Sequence, residues 1–429
     1  MKKTSEEWQK LCKMKVLDPD GWDRKNFQYS WYEEKITRKE FEKRILISTV
    51  YGYYEQMWKD KEMANLHKLE MLLPMEELEH SAQQQIYDAL NLDFLEKLAI
   101  MPDCHTGYSL PIGGVALLNG VISPAYVGYD IGCGMACIRT LTNVSSFLDK
   151  RESILNELYK RIPVGFNSRE EGSYTWSFKS ASGDKELNKK VNSRLGVQCG
   201  TLGGGNHFLE IGYNRYKKIC ITIHSGSRNA GHSVASYWMK LSKNVEKELP
   251  NGFLSLDSEY GQGYLKDMLF MLEYALINRK NMMLIALDVL GLTSKYMDEM
   301  INETHNHAIV IGDKVLHRKG ATPADKDQLG VIPGNMKDGV YITKGLGNEQ
   351  YLSSASHGAG RRFSRTEAKR QITLEQVEQE MKGITCKINK GIVDESKSAY
   401  KDINVVIRRQ EGIVVDVVDH ITPVLSMKG

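Results

Sequence analysis

Long apolar runs are missing from this chain of 429 residues: no stretch approaches the roughly 18 uncharged apolar residues that a membrane span needs. The opening MKKTSEEWQK also lacks the apolar core of a signal peptide, so the expected location is the cytoplasm. A disulfide framework is missing too. The seven cysteines follow no repeated spacing, and two sit inside glycine motifs, Cys133 in GCGM and Cys199 in QCGT, which suits reduced thiols. Neither sign of charge dominates: 57 Lys and Arg against 54 Asp and Glu leave a net charge of +3, too small for a global field that draws nucleic acid. Any basic surface is therefore local. The densest basic run, RRFSRTEAKR at 361–370, reads either as a solvated helix face or as a phosphate track, and its place directly after SHGAGR favours the track.

Familiar nucleotide signatures are missing as well. Without a G-x-x-x-x-G-K-[ST] run there is no P-loop, and the glycines of GTLGGGNHF do not follow the dinucleotide spacing G-x-G-x-x-G. The K-x-D-G of lysine-nucleophile ligases is absent, since KDG at 337–339 lacks the spacer. His305-Asn306-His307 spells HNH, but its letters are too close together for the nuclease motif of that name.

What is present is a globular composition, 41% hydrophobic and 26% charged. Residues 1–70 are rich in Trp, Tyr, Lys and Glu and nearly free of glycine; Thr37 and Glu40 form a capping box, and Phe41, Ile45, Leu46, Val50 and Tyr53 recur at helical spacing. This segment reads as a helical accessory extension. Residues 71–429 read as one large domain. A helix is expected over Glu76 to Leu90, then a strand KLAIM and a loop PDCHTGYSLPIGG. Strand-like runs follow (VALL, PAYVG, ACIRTLT, KICITIH, MMLIALDVLG), with helices near 150–161, 232–248, 262–279 and 364–383 and a polar surface insertion at 166–195. The alternation is irregular, so the expected class is α+β with mixed sheets rather than a doubly wound sheet.

The chemistry concentrates in loops of small residues. Four histidines sit there: His207 in GTLGGGNHFLEI, His224 in IHSGSRNAG, His305 in NETHNHA and His357 in SSASHGAGR. A packing histidine is usually flanked by branched or aromatic residues, whereas glycine lets backbone approach a ligand closely. Asp130 and Cys133, three apart in the turn GYDIGCGM, can aim a carboxylate and a thiolate at one point. Such a set can serve two ions if the thiolate bridges, and two ions clamp the attacking and leaving oxygens of a phosphoryl transfer. Ligand chemistry leaves zinc and manganese both open.

MPDCHTGYSLPIGG, VGYDIGCGM, GTLGGGNHFLEI, HSGSR, INETHNHA, RKGATPA, IPGNM, GLGNE, SHGAGR and a C-terminal KG occur in this order. From about Leu73 to the C-terminus the chain thereby resembles the RtcB family of RNA-splicing ligases. The resemblance implies joining of an RNA 3′-phosphate or 2′,3′-cyclic phosphate end to a 5′-hydroxyl end, with GTP and two manganese ions. It implies one ion on Asp130, Cys133 and His207 and another on Cys133, His224 and His305, with the thiolate shared. His357 matches the histidine that takes GMP. Asn206, His207, Phe208, Leu209, Glu210, His305, Asn306, Pro333, Gly334, Asn335, Met336, His357, Gly358, Ala359, Gly360 and Lys428 match the GTP-binding positions. Glu303-Thr304 replaces the Cys-His pair of many members, Val340 replaces a common serine, and Lys337-Asp338 replaces small residues.

These roles suit the residues. A neutral imidazole attacks phosphorus without prior deprotonation, and Glu210 offers acceptors for the two donors on guanine's Watson-Crick edge. Two other classes remain in play: a binuclear-metal phosphoesterase or RNA-end-processing hydrolase, and an RNA-binding repair factor that has lost catalysis. An activating protein partner is left open.

Overall fold

The apolar runs ACIRTLT, KICITIH and FLEI form neighbouring strands of one sheet and are buried along most of their length. The structure is a computed structural model that describes residues 65–429. The helical extension expected over 1–70 therefore lies, up to residue 64, outside the described residues.

From edge to edge the larger sheet runs Leu329–Pro333, Val340–Gly345, Val415–Lys428, Phe208–Tyr213, Lys218–Ser225, Gly134–Asn143 and Ile301–Thr304. Every pairing in it is antiparallel. One face buries Ala136, Ile138, Leu209, Ile211, Ile221 and Ile223, and the other carries Met135, Cys137, Val331 and Ile342. A second sheet orders Leu69–Met71, Leu95–Tyr108, Leu110–Asn119, Lys314–Lys319 and Asn306–Ile311. His305 is the single residue between the edge strand of one sheet and the edge strand of the other. Mixed sheets and helices make the fold α+β, as the irregular alternation implied.

Helices cover the first face of the larger sheet. Glu259–Val289, capped by Ser258 accepting from Gly261 N, packs Met282, Met283, Ala286 and Leu287 there. The run MMLIALDVLG is thus the end of a helix and not a strand, and its buried positions recur at helical spacing. PAYVG is likewise a buried helical turn, Pro124–Val127, started by proline at its first turn. The segment 166–195 is not merely a surface insertion. Its last part enters the helix Lys185–Gln198, whose Leu187, Val191 and Leu195 recur every fourth residue and join the core around Trp238 and Tyr264. Each such burial contributes about 1.5–3 kcal/mol, which outweighs the polar composition of the rest.

Two further expectations change. PDCHTGYSLPIGG is not a loop but the tip of a hairpin, turning at Ser109 with φ 68°. The helix expected over 364–383 breaks into Arg365–Gln371 and Leu374–Glu380, because Thr373 caps the second with a reciprocal bond from Gln376. Among the described residues no helix is long and apolar enough to cross a membrane, and all six cysteines there are free thiols.

Candidate active site and metal centre

Strand register brings the site together. Gly134 lies opposite Ser225 on one side and Thr304 on the other, His224 lies opposite Phe208, and Phe208 lies opposite Lys428. Five neighbouring strands therefore end level, and Cys133, His207, His224, His305 and Lys428 all fall at that end. Glycine is required around Cys133: a Cβ on Gly134 would sit 2.0 Å from the Glu303 carbonyl oxygen, and Gly132 has φ +72° with Ala275 Cβ 2.8 Å from its missing side chain. From behind, the buried Arg279 donates to Gly132 O and Ser225 O at 2.8 Å and to Asn302 Oδ1 at 2.7 Å. Its neighbour Asn278 donates to Thr201 O at 3.2 Å and Gly226 O at 3.0 Å. Two consecutive helical residues thus hold three site loops in place.

The five expected ligands form a string with the thiol in the middle. Cys133 Sγ is 3.4 Å from His207 Nε2 and 3.2 Å from His224 Nε2; His207 Nε2 is 3.0 Å from Asp130 Oδ2, and His224 Nε2 is 3.4 Å from His305 Nε2. The Nδ1 atoms of His207 and His224 lie 3.0 and 3.1 Å from the carbonyl oxygens of Leu202 and Asn206. Carbonyls only accept, so those nitrogens carry the protons and each Nε2 presents a lone pair to sulfur, carboxylate or another ring. Lone pairs facing one another at such distances fit a cation. Burial, then Asp130, pushes the Cys133 thiol well above its usual range, while burial and neighbouring histidines pull His224 and His305 well below theirs. Partial burial opposes ionisation of Asp130, but His207 and Arg228 outweigh it and hold the carboxyl at about 2. The string thus supplies a carboxylate, imidazoles that burial keeps neutral at His224 and His305, and a thiol that a metal ion would deprotonate.

Beside the string opens a cavity of about 240 Å³. Of the residues matched to guanylate binding, Asn206, Phe208, Glu210, Pro333, Gly334, Asn335, Met336, His357, Gly358, Ala359, Gly360 and Lys428 line it. His207 and His305 belong to the donor string instead. Leu209 points to the opposite, apolar face of its strand. Asn306 braces loops, donating to Asp130 O at 3.1 Å and accepting from Gly320 N at 2.8 Å. Glu210 is buried with Oε1 unpartnered, and burial, only partly offset by Lys428, raises its carboxyl to about 8. Such an orphan acceptor fits a ligand with N–H donors.

His357 stands where cavity and string meet. Its ring is 4.8 Å from that of His305, and its Nδ1 lies 2.6 Å from Oδ2 of Asp103, which is wholly buried. The same oxygen accepts from His357 N at 3.2 Å. The two side chains are not aligned as a hydrogen bond, but the buried negative charge beside Nδ1 still favours the proton on that nitrogen, which leaves Nε2 as the nucleophilic one.

The basic run is neither a free phosphate track nor a plain solvated face. Arg361 reaches Glu395 at 3.2 Å, Arg365 reaches Asp394 at 2.8 Å and Glu395 at 2.5 Å, and Lys369 reaches Asp394 at 3.4 Å. Lys428 closes the network on Glu395 at 2.7 Å. Burial works against Glu395, yet Lys428 and Arg365 hold it down to about 2. The departures have local uses. Val340 is buried opposite Pro333, Asp338 accepts from Asn335 Nδ2 at 2.8 Å, and Thr304 Oγ1 lies 2.8 Å from His307 Nδ1.

Asp103, Glu395 and Arg279 are the site residues that sequence reasoning did not single out. Asp103 lies inside the quoted PDCHTG motif, so a signal existed; VDES around Glu395 and NRKN around Arg279 carry none.

A family model described as tRNA-splicing ligase RtcB matches residues 85–183 and 167–429. The chain belongs to the RtcB family. It is 33% identical over 389 residues to RNA-splicing ligase RtcB1 from Escherichia coli, covering 82% of this chain and 95% of that protein. RNA-splicing ligase RtcB from Escherichia coli K12 is 32% identical over the same coverage. The tRNA-splicing ligase RtcB of Methanococcus maripaludis is 31% identical over 420 residues, 77% of this chain and 88% of its own. The family match thus spans the larger sheet, all of the second sheet but its edge strand Leu69–Met71, and every residue of the donor string.

Proposed function

We propose that this chain is an RNA ligase that joins a 3′-phosphate or 2′,3′-cyclic phosphate end to a 5′-hydroxyl end, using GTP and manganese, with His357 carrying GMP. In this reading residues 71–429 hold the whole catalytic apparatus, and 1–70 are an accessory element. The observation that carries it is His357, with Nδ1 against Asp103 at 2.6 Å and its ring 4.8 Å from His305 of the donor string. A phosphoesterase that works through metal-bound hydroxide alone would not need a nucleophilic imidazole at the mouth of a cavity whose buried Glu210 awaits N–H donors.

The steps follow from the residues. Nε2 of His357 attacks the α-phosphorus of GTP; a P–N bond forms, the P–O bond to pyrophosphate breaks, and the Nδ1 proton stays against Asp103. GMP then passes to an oxygen of the RNA 3′-phosphate, freeing the imidazole. The 5′-hydroxyl of the second strand attacks that RNA phosphorus and expels GMP, so the RNA's own phosphate remains in the junction. A cyclic end is first hydrolysed to the 3′-phosphate. Manganese ions, one on Asp130, Cys133 and His207 and one on Cys133, His224 and His305, would neutralise the phosphate oxygens during these transfers.

The test offers RNA pairs of each end type to the full chain and to one starting at Asn65, with GTP and manganese. Expected is sealing of 3′-phosphate or cyclic ends to 5′-hydroxyl ends by both proteins. Sealing of 3′-hydroxyl to 5′-phosphate ends would overturn the reading in favour of a ligase of the other polarity, and opening of cyclic ends without sealing would favour the phosphoesterase; a folded short chain without activity would remove the accessory role of 1–70.

Glu210 gives a pH signature. Its carboxyl, raised to about 8 by burial, is protonated in the empty cavity at neutral pH, whereas guanine's two donors bind the carboxylate. Guanine nucleotide affinity should therefore rise by about tenfold per pH unit up to pH 8 and then level off. Calorimetric titration of GDP into Glu210→Gln should show a flat profile; a slope unchanged by that substitution would rule out the guanine contact.

A further inference from the structure

A second cleft, of about 460 Å³, adjoins the donor string through Asp130 and His207, away from most of the guanylate cavity. Its size falls within the range of small-ligand sites, about 300–1,000 Å³. Tyr129 lines it, immediately before Asp130 in the chain, and stays 41% exposed. The Tyr129 ring stacks on His232 at 5.1 Å and 19°, and Tyr108, itself exposed, lies 5.9 Å away. These rings are held in place. Lys243 Nζ donates to the Tyr108 hydroxyl at 3.1 Å, and the Tyr108 carbonyl oxygen accepts from the buried Lys319. Two large aromatic side chains left open to water beside a donor string do nothing for the core, where burial would stabilise the fold.

Cations flank the rings, beside the Asp130 and Asp394 carboxylates that also line the cleft. Arg228 lines the cleft, donates to Thr201 Oγ1 at 3.3 Å and Gly165 O at 3.2 Å, and takes part in no ion pair among the described residues. Lys243 stands at the outer end, 5.8 Å from the Tyr108 ring centre. Arg365 and Lys369 also line the cleft but are engaged by Asp394. Open aromatic faces flanked by unpaired cations are the recognition chemistry of single-stranded nucleic acid, in which bases stack and cations follow the backbone.

We propose that Tyr129, backed by His232 and Tyr108, is a stacking platform for an unpaired nucleobase of the RNA strand whose end reaches the donor string. The inference rests on the RNA-ligase reading and adds a selectivity to it. Every base has a π face, so the platform favours unpaired ends over fully paired ones and is indifferent to sequence. Lys243 then faces the phosphate on the outer side of the stacked nucleotide.

The experiment measures binding of a 3′-phosphorylated single-stranded RNA, by fluorescence anisotropy with manganese present, to the unaltered protein and to Tyr129→Ala, Tyr129→Phe and Tyr108→Ala. The same strand is also offered with an abasic nucleotide at each of its terminal positions in turn. Loss of one stacked base should weaken binding roughly tenfold. Tyr129→Ala should show that loss and Tyr129→Phe should not, since the ring and not the hydroxyl acts; Tyr108→Ala, further from Asp130, should lose less. At one terminal position the abasic strand should bind the unaltered protein as weakly as the intact strand binds Tyr129→Ala, with no further loss when the two changes are combined. Equal affinity of Tyr129→Ala and the unaltered protein, or losses that simply add, would overturn the platform while sealing by the unaltered protein leaves the ligase reading standing. If the unaltered protein neither binds nor seals RNA, the ligase reading falls and the platform with it.

Discussion

His357→Ala should leave no covalent GMP on the protein after incubation with GTP and manganese, and should seal no RNA. The whole effect is expected to be chemical. In the variant the backbone N–H of residue 357 still reaches Asp103 Oδ2, at 3.2 Å in the present structure, so the buried carboxylate keeps a donor. The side chain lies at the cavity wall and no apolar core cluster includes it. Intact-mass spectrometry reads the adduct, and thermal unfolding checks the fold. An adduct of GMP mass on the variant would assign the nucleophile elsewhere, and the runner-up classes would then need His357 for nothing. Asp103→Asn is the informative companion, because an amide neither fixes the proton on Nδ1 nor stabilises the ring as it gains charge.

The second large effect concerns the middle of the donor string. Cys133→Ser keeps the size of the side chain and the turn around it, in which Cys133 N donates to Asp130 O at 3.1 Å and Cys133 O accepts from His305 N at 2.8 Å. What it removes is the thiolate, which a serine hydroxyl replaces poorly as an anionic ligand. Changes to residues that merely orient ligands already cost about 10- to 100-fold in metal affinity, so loss of a shared ligand should exceed about a hundredfold and abolish guanylylation. Metal content after dialysis, measured by mass spectrometry of the elements, decides it. Two ions retained by the serine variant would sink the bridging role of Cys133.

Short motifs, most of them small residues around one or two chemical side chains, made the site legible before any geometry was known. The reason is local: a residue such as Cys133 between Gly132 and Gly134 needs a backbone that only glycine allows, and that need is written next to it in the chain. Asp103 was half legible, inside a motif but without a role. Glu395 was not legible at all, since its value comes from Lys428 and Arg365, 33 and 30 residues away.

The same division runs through the fold. Short apolar runs rich in β-branched residues, as in ACIRTLT and KICITIH, announce themselves as strands, and the sheet buries both of their faces. PAYVG was misread because it is buried throughout and so carries no period, whereas MMLIALDVLG does carry the helical one, with Met282, Met283, Ala286 and Leu287 buried and Leu284 and Asp288 exposed. The basic run at 361–370 was misread for a related reason: whether a cation meets solvent, phosphate or carboxylate depends on what folds opposite it, and Asp394 and Glu395 are what folds there.

By itself, then, the chain determines the identity of its chemical groups and the backbone freedom around each, because those depend on residues adjacent in sequence. Only the tertiary structure decides that Cys133, His207, His224, His305 and Lys428 end level on five neighbouring strands, that His357 meets Asp103, and that Tyr129 stays open beside them. Those facts rest on strand register and on packing between distant segments, where free energy comes from contacts that no local stretch of sequence contains.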